Sequence, residues 1–161
     1  MVGGPAFGYD DLRARALGAT AWAPDARSAV AAMDTLPTVV DALPERPAAA
    51  TAEQALLDLH HRRIVDSLRE QWSLTRDATS SEALADLAAD TVNQALHAVS
   101  AALLTGDARP ISETAWWIAD VLQARDVDRA AVAELAGLLA AELDESPLAR
   151  DLVAQHFSLA G

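Results

Sequence analysis

Apolar residues recur at helical spacing in the middle of the chain, and this pattern predicts a long amphipathic helix from Thr51 to about Trp72. The residues that share its apolar face are Leu57, His61, Ile64, Val65, Leu68 and Trp72. Thr51 and Gln54 match a capping box, in which two side chains satisfy backbone donors at a helix start. The sequence therefore predicts a helix that begins at Thr51 and buries one face.

A second long helix is predicted from Thr79, where Glu82 completes another capping box, to about Leu104. Its apolar face contains Leu84, Ala85, Ala88, Val92, Leu96, Val99 and Leu103. Gly106 and Pro110 follow, and these residue types are typical of a helix end.

Three shorter helices are predicted in the C-terminal part of the chain. The first runs from Ile111 to about Ala124, and Asp128 caps the second. The third opens at Ser146 and Pro147, a capping residue followed by a proline in the first helical turn. The positions predicted to face inward are Ile111, Ala115, Ile118, Leu122, Val132, Leu135, Leu139, Leu143, Leu148 and Leu152.

The first 50 residues carry weaker signals. Residues 1–8 contain three Gly and one Pro and are predicted to be flexible. A short helix is predicted near Asp10, with Leu12 facing inward. Another is predicted to start at Pro24, with Val30, Met33 and Leu36 on one apolar stripe. The proline-rich stretch 44–50 is interpreted as a connection between helices.

The elements taken together predict an all-α fold. No segment alternates between apolar and polar residues over the length of a useful strand. Six to seven helices of unequal length would then form a single domain over residues 9–161. A compact globin-like or orthogonal helical bundle fits these lengths at least as well as a regular four-helix bundle.

Charge and composition narrow the functions of such a domain. The chain has 161 residues, a net charge of −12, no Lys and no Cys. An acidic surface repels phosphate groups, so neither nucleic acid nor an anionic membrane is an expected partner. The absence of Cys and Lys excludes disulfides and Schiff-base chemistry. With neither a signal-peptide pattern nor an apolar run of membrane-spanning length, the expected location is cytoplasmic.

Three histidines are candidate cofactor-binding residues. His61 lies on the apolar face of the first long helix, and the adjacent His60 points about 100° away from it. His97 lies on the more polar side of the second long helix. His97 paired with His60 or His61 could bracket a planar ligand such as haem. The alternative is that each is a structural histidine with a protein partner, so the cofactor stays unknown, with haem or another tetrapyrrole left open.

Signals for metal binding or catalysis are sparse. Asp58 and His61 have the i, i+3 spacing of ligands on a helix, but no second pair supplies the remaining ligands, so no metal site is predicted. The sequence lacks Gly-x-Ser-x-Gly, His-Glu-x-x-His and a Gly-rich phosphate loop, so no catalytic residue is predicted. Its carboxylates are spread over polar faces, although two distant carboxylates acting together stay an alternative.

Trp116 and Trp117 are adjacent on one predicted helix, so the same neighbours cannot bury both. Trp117 has Val121 beside it and is predicted to enter the core. Trp116 aligns with Glu113 and Asp120, which indicates a partner contact, a lid on a cavity, or an indole lying flat on its own surface. We favour an interface formed by these three residues, and expect Trp116→Ala to weaken self-association while the fold stays intact.

A series of features between Asp90 and Leu143 follows a known pattern. His97 lies in mid-helix, Ala-Leu-Leu-Thr-Gly-Asp follows at 102–107, and Trp117 lies in the next helix. This stretch, about a third of the chain, resembles globin-like sensor domains of bacterial signalling proteins. It is also similar to helical domains that precede cobalamin-binding domains in some actinobacterial proteins. The family has Gly where this chain has Asp126, and no Asp-x-His-x-x-Gly cobalamin motif occurs.

The resemblance implies a sensory or scaffolding role and a globin-like fold, with His97 facing a haem on one side and His60 or His61 on the other. The sequence as a whole favours a regulatory or ligand-sensing helical module that acts through protein–protein contacts. It would act as a homo-oligomer, such as a homodimer, or with a partner protein. The alternatives are a haem- or tetrapyrrole-binding globin-like protein and a small all-α biosynthetic enzyme.

Overall fold

The computed structural model describes residues 1–4, 7–39, 42, 45–76 and 82–159. Within these ranges the helices are α1 Leu12–Ala16, α2 Ala26–Met33, α3 Ala48–Gln71, α4 Ser73–Arg76, α5 Glu82–Thr105, α6 Arg109–Gln123, α7 Ala130–Glu142 and α8 Pro147–His156. Two short strands, β1 Val2–Gly3 and β2 Trp22–Ala23, pair in parallel. The predicted all-α bundle is confirmed, and its globin-like version stays a prediction. No helix in the described ranges has the length and apolar character to span a bilayer.

Helix α5 lies at the centre of the bundle formed by α3–α8. It packs against α3, α4, α6 and α8, and α7 packs against α3 and α8. The buried faces of the two long helices follow the predicted periodicity, with Leu57, Ile64, Val65 and Leu68 from α3 and Ala88, Val92, Leu96, Val99 and Leu103 from α5. Trp72 follows α3 and is fully buried, and its Nε1 donates to the carbonyl of Ala131 at 3.0 Å. The core therefore also satisfies the polar atom of this large side chain.

The predicted start of α3 is wrong. The helix begins at Ala48, and Thr51 Oγ1 donates to the carbonyl of Pro47 instead of capping a later start. Proline fits the beginning of a helix but not its interior, so the helix begins directly after Pro47. Gln54 donates to Asp58 one turn ahead. The capping box predicted at Thr79 lies outside the described residues.

Helix α8 begins at the predicted proline, but the side chain of Ser146 does not cap it. The backbone N–H groups of Leu148 and Ala149 donate to the two carboxylate oxygens of Glu53, at 3.1 and 2.9 Å. Glu53 is a buried residue of α3, so one helix supplies the cap of another. Ala149 is buried, whereas Leu148, predicted to face inward, is 40% exposed.

The N-terminal region, residues 1–4 and 7–39, is packed differently from the bundle. Ala14 and Ala23 are its only buried apolar side chains among the described residues. Leu12 is exposed, so its predicted inward orientation is wrong; in a helix of five residues, Ala14 takes the inner position. Val30 and Met33 of the predicted α2 stripe are also exposed, because α2 packs mainly on the short strand β2.

Candidate functional site

The outer face of α6 presents two tryptophans side by side to solvent. Trp116 is 40% exposed and Trp117 is 44% exposed. Glu113 lies one turn before them and Asp120 one turn after, so the four side chains share one helix face. We call Glu113, Trp116, Trp117 and Asp120 the tryptophan face.

The opposite face of α6 is fully buried, which explains why the predicted burial of Trp117 is wrong. The inner positions, each with 0% exposure, are Ile111, Ala115, Ile118, Ala119 and Leu122. Trp117 precedes Ile118 by one residue, and a helix turns adjacent side chains about 100° apart. Val121, the expected neighbour of Trp117 in the core, is itself only half-buried.

Two arginines border the tryptophan face. The guanidinium carbon of Arg129 lies 5.7 Å from the ring centroid of Trp116, and its Nη2 lies 3.7 Å from Asp120 Oδ1. Arg13 of α1 reaches the other end of the face, where its Nη2 donates to both carboxylate oxygens of Glu113 at 3.3 Å. The indole quadrupole attracts a cation above the ring, so Arg129 favours one orientation of Trp116.

Asp10, Arg13, Asp107 and Arg109 join the N-terminal region to the turn between α5 and α6, and we call them the charge clamp. Arg13 Nε donates to Asp107 Oδ2 at 2.7 Å, and Arg109 Nε donates to Asp107 Oδ1 at 2.8 Å. The far end of Arg109 donates to both carboxylate oxygens of Asp10, at 2.8 and 2.9 Å. Paired contacts of this kind are geometrically specific, so the clamp holds α1 against the start of α6.

Asp107 is the buried carboxylate of the charge clamp. Burial raises its pKa, but hydrogen bonds from the side chain and backbone of Arg109 and from Arg13 outweigh that effect and hold the pKa at about 2. The hydrogen bond from Arg109 lowers the pKa of Asp10 as well. Asp107 also accepts from the backbone N–H of Arg109 at 3.0 Å, at the first residue of α6. It therefore fixes the turn before α6 and binds the N-terminal region with the same carboxylate.

His61 and His97 lie together between α3 and α5. Their ring centroids are 5.1 Å apart and their planes are inclined by 20°, so the rings form a nearly parallel stack. His61 Nε2 lies 3.1 Å from Asn93 Oδ1. A haem between two axial histidines needs a ring nitrogen of each directed at the iron, whereas stacked rings at this separation leave no layer for a macrocycle. The two residues therefore do not fit a haem held between them.

His60 lies apart from that pair, in the wall of a polar cavity of about 450 Å³ between α3 and the turn from α7 to α8. Arg63 and Glu142 line the same cavity. Glu142 accepts hydrogen bonds from Ser67 and Gln71 and lies 3.5 Å from Arg63, so its carboxylate is engaged within the protein. In the described part of the chain, no three His, Asp or Glu side chains are placed to hold a metal ion.

Sequence reasoning did not single out Asp107 of the charge clamp or Glu53, the cap of α8. The two residues differ in the signals that the sequence gives for them. Asp107 follows Gly106 just before α6, and a Gly-Asp pair between two predicted helices is a local turn signal that could have been found. Glu53 has no such signal, because the backbone groups it caps lie 95 and 96 residues later in the chain.

Comparison with known proteins assigns no family to the chain, since no family model and no curated protein matches its sequence. The resemblance to globin-like sensor domains therefore stays a prediction. The tryptophan face is the place where two large aromatic side chains lie together on the surface of the bundle, with 40% and 44% of their surface exposed.

Proposed function

We propose that this chain is a regulatory interaction module that binds a partner protein through the tryptophan face. The observation that supports the proposal is the exposure of Trp116 and Trp117 side by side on a helix whose inner face is fully buried. Tryptophan is enriched among the interface residues that carry most of the binding energy. A docked partner would remove from water the indole surface that the bundle leaves exposed.

The tryptophan face is ordered before a partner binds. The inner residues of α6 are fully buried, so the backbone that carries both indoles is fixed by the core. The guanidinium carbon of Arg129 lies over Trp116, 5.7 Å from the ring centroid, and this cation–π contact restricts the ring further. Binding to such a surface costs little conformational entropy, which favours a stable complex for a small contact area.

Charge favours a basic partner over a second copy of this chain. Glu113 and Asp120 flank the indoles, and their side chains stay 55% and 71% exposed despite their own arginine contacts. The chain as a whole carries a net charge of −12. Acidic residues around an apolar centre attract a basic amphipathic segment and repel another acidic surface.

The geometry of a symmetric contact leads to the same choice. If two α6 helices paired antiparallel about a point between Trp116 and Trp117, Glu113 of each copy would lie opposite Asp120 of the other. Like charges that face each other across an interface oppose association. We therefore assign the tryptophan face to a basic partner and treat self-association as the competing outcome.

Arg13 connects the tryptophan face to the charge clamp. Its guanidinium contacts Glu113 in the tryptophan face and Asp107 in the charge clamp. A basic partner that takes over Glu113 would remove one of these contacts. Docking on α6 would then weaken the attachment of α1, which is a physical basis for a regulatory response.

Site-specific photo-cross-linking tests the proposal. A benzophenone amino acid replaces Trp117 in one variant and Leu59, an exposed apolar residue of α3, in a matched control. We expect one basic protein to cross-link from position 117 and not from position 59. With that protein purified, Trp116→Ala should weaken binding at least about tenfold, which is typical of a central interface residue, with an unchanged circular dichroism spectrum.

Three outcomes would contradict the proposal. Equal cross-linking from both positions would indicate nonspecific contact, and unchanged affinity in Trp116→Ala would remove the tryptophan face from the interface. Sedimentation of a dimer that dissociates in Trp116→Ala would assign the face to a second copy. The double variant Glu113→Gln, Asp120→Asn isolates charge, because its affinity loss should be larger at low salt than at high salt.

A further inference from the structure

A second cavity, of about 500 Å³, lies where the last turns of α5 meet α8, the start of α3 and the end of α1. Its apolar wall includes Ala16, Pro47, Ala102, Leu103, Leu148 and Leu152. This volume lies within the range of small-molecule sites, which are concave and mostly apolar. None of the residues that line this α5–α8 cavity is on α6, so the cavity is separate from the tryptophan face.

Leu148 is the residue that marks the α5–α8 cavity as more than a packing gap. The next residue, Ala149, is fully buried in the core, while Leu148 lies in the cavity wall and is 40% exposed. Its backbone N–H is held by Glu53 at 3.1 Å, so the turn that carries it is fixed. A leucine fixed in a concave apolar wall loses contact with water when an apolar group enters, which favours binding.

The polar rim of the cavity indicates the charge of its ligand. Glu45 and Asp151 place two carboxylates there, against the single guanidinium of Arg46. Arg150 is shared between two carboxylates, with Nε 3.8 Å from Asp151 and Nη1 3.1 Å from Asp144, so it neutralises Asp151 only in part. Three carboxylates therefore stand against two guanidiniums, and the rim keeps a net negative charge. An anionic rim stabilises a cation and repels a carboxylate or phosphate.

From this combination of wall and rim we infer that the α5–α8 cavity binds an amphiphile with an apolar tail and a cationic head group, such as an alkylammonium. The tail lies against Leu103, Leu148 and Leu152, and the head group stays at the rim beside Glu45 and Asp151. The site does not depend on the partner proposed for α6, and it would make the chain a ligand-binding as well as a protein-binding module.

Titration of the ¹⁵N-labelled chain with decylammonium and, separately, decanoate tests this inference, with both probes below their micelle concentrations. We expect decylammonium to shift the amide resonances of Gly106 and Leu148 saturably, and decanoate to bind at least about tenfold more weakly because of the rim charge. Leu148→Ser should weaken decylammonium binding about tenfold by removing apolar contact. Leu59→Ser, which removes an exposed leucine outside the cavity, should not change it.

Asp151→Asn provides an independent variant, since it removes one rim charge at an exposed position and leaves the apolar wall intact. We expect it to reduce the preference for decylammonium over decanoate severalfold. The inference is overturned if neither probe gives saturable shifts, if decanoate binds as tightly as decylammonium, or if Leu148→Ser and Leu59→Ser behave alike. None of these results depends on whether a protein docks on α6.

Discussion

The N-terminal region and the bundle α3–α8 both contain helices with an apolar stripe, but different forces hold them. In the bundle, the stripes of α3 and α5 meet each other and form a continuous buried core. In the N-terminal region, α2 buries no residue, and attachment to the bundle depends on the charge clamp and the small α1 contact. The difference teaches that an amphipathic pattern specifies a helix, whereas burial also requires a complementary surface within reach.

Truncating the core of the bundle should have the largest effect on stability. Trp72 is fully buried, so Trp72→Ala should lower the free energy of unfolding by about 3–5 kcal/mol, through lost burial and the cavity left behind. Urea denaturation followed by circular dichroism measures this change. Trp72→Phe is the control: it keeps a buried six-membered aromatic ring but loses the hydrogen bond to Ala131, and should cost roughly 1–2 kcal/mol less than the alanine variant. Similar losses in both variants would contradict the dominance of burial.

Breaking the charge clamp should have the next largest effect, located in the N-terminal region. Asp107→Asn removes the buried charge that Arg13 and Arg109 share, and should cost on the order of 2 kcal/mol. Hydrogen exchange should become faster at the α1 amides, while the core amides of α5 should speed up only as far as the loss of global stability requires. Asp11→Asn removes the exposed ion pair between Asp11, just before α1, and Arg15, and is the matched control, with an expected change under about 0.5 kcal/mol.

The lowered pKa of Asp107 leads us to expect that the free energy of unfolding depends on pH. The pKa of Asp107 is about 2 in the folded chain, against an ordinary value of 3.8, so the unfolded chain binds more protons between these values. The contribution of Asp107 to stability is therefore complete above about pH 4 and is lost as pH falls toward 2. In urea denaturation over this range, the stability difference between the wild type and Asp107→Asn should narrow. A constant difference would mean that the carboxylate charge is not what holds the clamp.

Periodicity in the sequence is sufficient to predict most of the bundle. The inner face of α3 carries Leu57, Ile64 and Leu68. These positions could be predicted because residues four and seven apart project from the same side of a helix. The same reasoning fails for Trp117, since one residue of rotation separates it from the buried Ile118. The size and apolar character of a tryptophan side chain alone do not show whether it lies on the buried or the exposed side of its helix.

Sequence patterns do not predict which side chains from distant segments come into contact. The tryptophan face could be predicted in part, because Trp116, Glu113 and Asp120 follow one another at helical spacing. Arg13, which borders that face, is 100 residues from Glu113 in sequence, and nothing local links the two. The stacking of His61 on His97 also depends on how α3 packs against α5. Sequence thus located the helices, while packing decided which side chains meet.

The smallest effect on stability is expected in α2, whose sequence has the apolar spacing of a core helix. Val30 and Met33 of α2 are 67% and 58% exposed, so the double variant Val30→Ser, Met33→Ser removes little buried surface. It should change the free energy of unfolding by less than about 0.5 kcal/mol, which is typical of surface positions, in the same urea assay. A loss of roughly 2 kcal/mol or more would show that α2 is buried in solution against a surface absent from the single chain. A small change would confirm that apolar spacing alone does not make a core.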